Sequence, residues 1–168
     1  MPIYPYKDIL PKIDDSSFVA PSADLVGDVT IAEEANIWYN CVLRGDVNYI
    51  KIGARTNIQD GSVIHVTSGG WGTDVGADVT VGHMVLLHAC RVEDLSFIGM
   101  GACLMDEVVV ESEAMVAAGA LVTPGKRIPA RELWAGRPAK FMRKLSDQDI
   151  KGFKASADHY VSLMKTYL

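Results

Sequence analysis

Apolar residues return along this chain at a fixed interval of six. Written in sixes, the first third reads VAPSAD, LVGDVT, IAEEAN, IWYNCV and LRGDVN, opening at Val19, Leu25, Ile31, Ile37 and Leu43. Each line begins with a branched aliphatic residue and carries Ala, Val or Cys in its fifth place. After a short break the rhythm resumes as IGARTN, IQDGSV and IHVTSG from Ile52, Ile58 and Ile64. It then runs from Val75 to Arg127 as VGADVT, VGHMVL, a five-residue LHACR, VEDLSF, IGMGAC, LMDEVV, VESEAM, VAAGAL and VTPGKR. An amphipathic helix needs apolar positions near every 3.6 residues, and a half-buried strand alternates every second residue. A sustained period of six fits neither and predicts an all-β solenoid, coiling through three short flat faces per turn. Each turn then takes about eighteen residues and hydrogen bonds to the next at roughly the 4.8 Å spacing of neighbouring strands. The branched residue fills the interior near each corner, and the small fifth residue faces inward where room is least.

The rhythm stops near Pro129. Beyond it, Ser146 is placed to cap a helix, with Asp149 three residues on in capping-box position. Ile150, Phe153, Ala157, Val161, Met164 and Leu168 form an apolar stripe at helical spacing, so a C-terminal helix over 146–168 is expected to pack on the outside of the coil. The stretch 129–145, with two prolines and a tryptophan, reads as a turn-rich crossing segment that anchors it. Residues 1–168 thus make one domain, with coils over 12–128.

Composition narrows the function classes. Sixteen basic against twenty-one acidic side chains give a net charge of -5, and the cations form no stripe, which argues against nucleic acid. The three cysteines show no metal-like pairing and suit a reducing compartment. The N-terminal stretch has no secretory pattern, and no run approaches eighteen apolar residues, so a cytoplasmic protein without membrane attachment is expected. Glycine-rich GMGA belongs to the repeat and is not a dinucleotide loop, and no other nucleotide or protease signature is present.

The repeat also places polar side chains. Ile64 and Leu87 are 23 residues apart, one turn plus five residues of a loop around TSGGWGTD, so His65 and His88 stack on adjacent turns. Leu43 and Ile64 are 21 apart, one turn plus a three-residue irregularity near 48–51, which puts Arg44 one turn below His65. Asp60 and His83 share another column, with Gln59 beside Asp60. The loop carrying Trp71 either covers a pocket or forms a plain surface turn.

This patterning resembles the hexapeptide-repeat proteins, a resemblance that implies a left-handed parallel β-helix and assembly as trimers. Two stacked imidazoles can share a tetrahedral metal, but a catalytic zinc normally takes three protein ligands. His83 belongs to the preceding face and points past a corner. In a side-by-side assembly it can reach the His65 and His88 column of the next subunit.

The segments RGDVNYIKIGARTNIQDGSVIH, from Arg44 to His65, and VGHMVLLHAC, from Val81 to Cys90, look like those of γ-class carbonic anhydrases. The resemblance implies zinc, or iron or cobalt, bound by His65 and His88 of one subunit and His83 of the next within a homotrimer. It further implies that Arg44, Asp46 and Asp60 organise the interface and site. Gln59 matches a residue contacting the metal-bound water or bicarbonate, and Tyr160 matches a C-terminal tyrosine approaching the site. The implied reaction is reversible hydration of carbon dioxide to bicarbonate. The chain departs from the archaeal members at Val47 and Ser68, where those proteins carry glutamates. Three other readings stand beside it: a hexapeptide-repeat acyltransferase with a histidine base, a coenzyme A thioester hydrolase using the same activated hydroxide, and a non-catalytic trimeric metal-binding scaffold.

Overall fold

The computed structural model describes residues 3–168. It is a left-handed parallel β-helix of hexapeptide repeats with one α-helix, Asp147–Met164, laid along its outside. Each six-residue line forms one side of a triangular coil. Its first residue is interior, as at Leu25, Ile37, Leu43, Ile58, Ile64, Leu87, Ile98 and Leu104, and its fifth is buried too, as at Ala23, Ala35, Cys41, Val79 and Ala114. The fourth residue makes the corner. Glu34, Asn40, Arg55, Asp78, Met84, Leu95, Glu107, Glu113 and Arg131 all take positive φ there, as do Gly61, Gly101, Gly119 and Gly125. A left-handed conformation costs an L residue roughly 1–2 kcal/mol. Bonds between coils hold it in place, for example Asp78 N–H to the Ala54 carbonyl at 2.9 Å and Leu95 N–H to the Ala77 carbonyl at 2.9 Å. Glycine is demanded where the coils touch most closely: a Cβ on Gly53 would lie 2.4 Å from the Gly76 carbonyl carbon.

Three parallel ladders run up the coil. One contains Asp24–Ile31, Val42–Ile52, Val63–His65, Leu86–His88, Cys103–Leu104 and Leu121–Val122. A second continues from the far halves of the two long strands into Thr73–Val75, Arg91–Val92, Val109–Val110 and Arg127–Ile128. The third runs from Phe18–Val19 through Asn36–Ile37, Asn57–Ile58, Thr80–Val81, Phe97–Ile98 and Met115–Val116 to Glu132–Gly136.

The six-residue rhythm breaks twice on one side. In Val42–Ile52, Gly45 pairs with Gly27 and Ile50 with Val29, so residues 46–49 stand opposite Asp28 alone and bulge outward. Residues 66–72 loop out between Val63–His65 and Thr73–Val75. Both excursions flank His65.

Two segments differ from the sequence-based expectation. Ile3–Tyr4 pairs with Leu25–Val26, ahead of the coils expected from residue 12, where Lys12–Ile13 does pair with Thr30–Ile31. The stretch expected to be a turn-rich crossing is a β-hairpin, in which Glu132–Gly136 pairs antiparallel with Ala139–Lys144. Pro129 lies before its first strand and Pro138 in its turn, so neither proline removes a ladder donor.

The helix starts at a capping box, with Ser146 accepting from Asp149 N–H and the Asp149 carboxylate accepting from Ser146 N–H at 2.8 Å. Its buried face is Phe153, Ala157, Val161 and Met164, with Ile150 half-buried. The helix ends at Met164, which leaves Leu168 exposed rather than on the stripe. Phe153 packs with Leu133 and Leu145 and meets the Phe97 ring at 5.3 Å between centroids. Orientation comes from a corner column of charges. Arg55 bridges Glu34, Asp78 and Asp158 of the helix, while Lys165 reaches Glu34 at 2.6 Å. Such part-exposed pairs contribute little energy each. They set where the helix lies, and apolar burial holds it there.

All three cysteines are free. Burial pushes the thiols of Cys41 and Cys90 up to about 11 and about 12, so both behave as small apolar core groups. Among the described residues no helix is long and apolar enough to cross a membrane.

Replacing Phe153 with Ala should weaken helix docking by about 3 kcal/mol. On heating, circular dichroism should then show the helical signal melting before the sheet signal; one unchanged transition would contradict this account of the interface.

Candidate metal centre

Register alone brings His65 and His88 together. The two residues are direct partners in the parallel ladder between Val63–His65 and Leu86–His88, and both side chains leave the coil on the outer face. His65 Nδ1 and His88 Nε2 lie 3.2 Å apart. The remaining nitrogen of each ring is committed to a carboxylate: His65 Nε2–H donates to Asp46 Oδ1 at 3.1 Å, and His88 Nδ1–H donates to Asp106 Oδ1 at 2.7 Å. A carboxylate only accepts, so each of those nitrogens carries a proton, and a neutral ring then presents a lone pair at its inward nitrogen. Two such lone pairs repel unless a proton or a metal ion is shared between them. Zinc–nitrogen bonds of about 2.0–2.1 Å at a tetrahedral angle put two donor nitrogens about 3.4 Å apart. The observed separation and the carboxylate behind each ring both fit a metal ion.

The bulge and the loop supply the supporting groups. Asp46, thrown out of the ladder at 46–49, is also ion-paired with Arg44. Burial alone would raise the Asp46 carboxyl, but His65 and Arg44 together hold it below the usual carboxylate range. Asp106 is likewise lowered, first by the Thr67 hydroxyl and then by His88. Asn48 in the bulge ties down the loop, donating to the carbonyls of Thr67 at 3.1 Å and Gly70 at 2.9 Å. Trp71 lies under the Arg91 guanidinium, 5.6 Å from its carbon.

A second group forms at the preceding corner. His83 Nδ1 lies 3.0 Å from Asp60 Oδ2 on a part-exposed ring. Gln59 is buried, its amide N–H donating to Asn57 Oδ1 at 3.0 Å, so it is not the outer-face polar residue that its sequence position allowed. Tyr160 packs against Trp38, with ring centroids 5.6 Å apart; burial, then the Asp60 charge, pushes its phenol up. Arg44 bonds to Asp46 and not to Asp60. Among the described residues of one chain, no three His, Cys, Asp or Glu side chains gather to hold a metal. One chain carries two separate polar groups: His65 and His88 with Asp46 and Asp106, and His83 with Asp60.

Asp106 and Thr67 escaped the sequence reading. Asp106 lies on the next turn, but one place past Met105, the residue that the ladder sets above His88, so counting along the column does not single it out. Thr67 lies in the loop, where the repeat gives no register.

Beside His88 is a hollow of about 300 Å³ walled by Leu86, Cys103, Leu104 and Met105. A larger one, about 570 Å³, lies on the next face among Tyr49, Asp74, Arg91 and Glu93 and touches none of the histidines.

No family model matches the chain. Gamma carbonic anhydrase 1, mitochondrial, of Arabidopsis thaliana is 50% identical over 165 residues, which cover 95% of this chain and 60% of that protein. The chain thus spans about 60% of that relative's length. The carbonic anhydrase of Geobacillus kaustophilus is 42% identical over 165 residues, covering 98% of this chain and 90% of that one. Among solved structures, a hexapeptide transferase family protein from Anaplasma phagocytophilum matches with a TM-score of 0.95 and 44% identity, covering 99% of this chain and 98% of that one.

The lowered carboxyls make a sign-definite prediction. Their contribution to stability is complete above the ordinary carboxylate value of 3.8 and is lost as pH falls through the depressed folded values. Asp46→Asn and Asp106→Asn should each flatten the fall of melting temperature on the acid side of that value. A parent-like acid limb in both variants would contradict the assignment.

Proposed function

The chain belongs to the hexapeptide-repeat, left-handed β-helix proteins closely related to γ-class carbonic anhydrases, and on that footing we propose that it is a metal-dependent carbonic anhydrase-like enzyme, hydrating carbon dioxide to bicarbonate between the subunits of a homotrimer. Two inward imidazole nitrogens carry this reading: His65 Nδ1 and His88 Nε2, 3.2 Å apart, each ring anchored from behind by a carboxylate. A zinc, iron(II) or cobalt(II) ion held there supplies the Lewis acidity that brings the pKa of water toward neutrality, and so a hydroxide for attack on carbon dioxide. His65 and His88 give two neutral donors whose tautomers are set by Asp46 and Asp106. His83 of a second copy gives the third, through Nε2, since its Nδ1 is turned to Asp60. Gln59 and Tyr160 accompany His83 on that copy. There the Gln59 amide, fixed by Asn57, and the Tyr160 phenol, kept protonated by burial, would orient substrate by hydrogen bonds.

The surroundings favour both the substrate and the assembly. The apolar hollow beside His88 suits a small uncharged molecule that asks for few hydrogen bonds. Val63, Leu86 and Cys103 pair in register as an outward apolar column on the histidine face, with exposed Met84, Met100 and Met105 also unburied in one chain. A second protomer laid there would cover this surface and bring a corner histidine within reach. Val47 and Ser68 are both exposed and neither is an acid, and we infer that the proton leaves through solvent and buffer.

Metal analysis with stopped-flow hydration of carbon dioxide tests the proposal. The purified parent should hold a divalent metal, and His88→Ala should lose it together with at least a hundredfold of the hydration rate, on the order expected when a metal-activated water is removed. Unchanged activity in that variant would refute the mechanism, and a metal-free parent would favour acyl transfer by a histidine base.

Proton exit makes a separate prediction: kcat should climb with buffer concentration at fixed pH. A buffer-independent rate would mean that a side chain carries the proton.

A further inference from the structure

Thr67 is the hub of the loop 66–72. Its N–H donates to the Trp71 carbonyl at 3.2 Å, and its carbonyl accepts from Gly70 N–H at 3.4 Å and from Asn48 Nδ2 at 3.1 Å. Its hydroxyl leaves the loop altogether and donates to Asp106 Oδ2, 39 residues further along the chain. Asp106 therefore spends one oxygen on Thr67 and the other on His88 Nδ1–H. The bulge that delivers Asp46 to His65 also delivers Asn48 to the loop. Thus Asn48, Thr67 and Asp106 form one hydrogen-bonded run behind His88, anchored in the same bulge that sets Asp46 behind His65. Thr73 adds a further tie, its hydroxyl donating to the His65 carbonyl at 2.7 Å.

We propose that Thr67 is a positioning residue: by occupying Asp106 Oδ2 it presents Oδ1 to His88 Nδ1–H, fixes that tautomer, and keeps the Nε2 lone pair of His88 directed at His65. The loop is then a brace for the ligand pair and not a lid. A free carboxylate can rotate and offer either oxygen, in either of two lone-pair directions, to the imidazole or to water. Held at both ends, it has one arrangement. This inference rests on reading His65 and His88 as metal ligands, but its tautomer component can be observed without metal.

Two variants test it. Thr67→Val keeps the side-chain shape and removes the hydroxyl, whereas Thr67→Ser keeps the hydroxyl. The first readout is the ring 15N signature of His88 in full-length, histidine-labelled protein, as purified and after metal removal. The second is zinc affinity, by competition with a chromogenic chelator. Thr67→Val should move His88 away from a single Nδ1–H tautomer, leave His65 in its Nε2–H form, and weaken zinc binding by about tenfold, the lower end for groups that orient a metal-binding histidine. Thr67→Ser should restore both. Parent-like ring signals and zinc affinity in Thr67→Val would overturn the proposal, as would an equal loss in Thr67→Ser, which would trace the effect to packing of the methyl group. If the ring signals shift as expected while neither the parent nor any variant binds zinc, the positioning role stands and the metal reading falls.

Discussion

Each coil hydrogen bonds to the next through parallel ladders, and this fixes every side chain over its equivalent one turn below. The constraint is severe because the interior has room for one branched residue per side and one small residue per corner. A slip of one place would drive Ile64 and Leu87 outward and His65 and His88 into the core. The stacking of the histidines is therefore a consequence of keeping the aliphatic residues inside. The same burial that stabilises the fold assembles the donor pair.

Function enters where the ladder is interrupted. The bulge at 46–49 and the loop at 66–72 add residues to one side of the coil, and these added residues carry Asp46, Asn48 and Thr67. A regular solenoid would offer only a flat outer face of stacked side chains at strand spacing. The excursions give it depth, place Asp46 behind His65 and bring Thr67 to the carboxylate behind His88. Asp106 is the exception, since it lies within the regular repeat and reaches His88 from the turn above.

Most of the fold was legible because it is one short rule applied many times. The interior residues, the pairing of His65 with His88 and the sharing of a column by Asp60 and His83 all follow from counting in sixes. Legibility ended where the period ended. The hairpin of Glu132–Gly136 and Ala139–Lys144 was hidden because its prolines, which lie before and between the strands, look like general loop formers. Thr67 was hidden because a loop has no register, so nothing in the sequence says which carboxylate its hydroxyl meets. The count does not say that Gln59 is buried with its amide on Asn57. Asp106 was missed because the register sets Met105 above His88, and Asp106 reaches the ring from one place further on.

The account depends most on the two halves of the site coming from different chains. Mixed trimers of His83→Ala and His88→Ala chains examine this directly, because one interface in each mixed trimer then joins an intact His65 and His88 pair to an intact His83. Metal content should return to roughly one ion per mixed trimer while each variant alone binds almost none, the result expected when three histidine donors are required. Mixed trimers as empty as the separate variants would place all three donors within one chain and contradict the shared site.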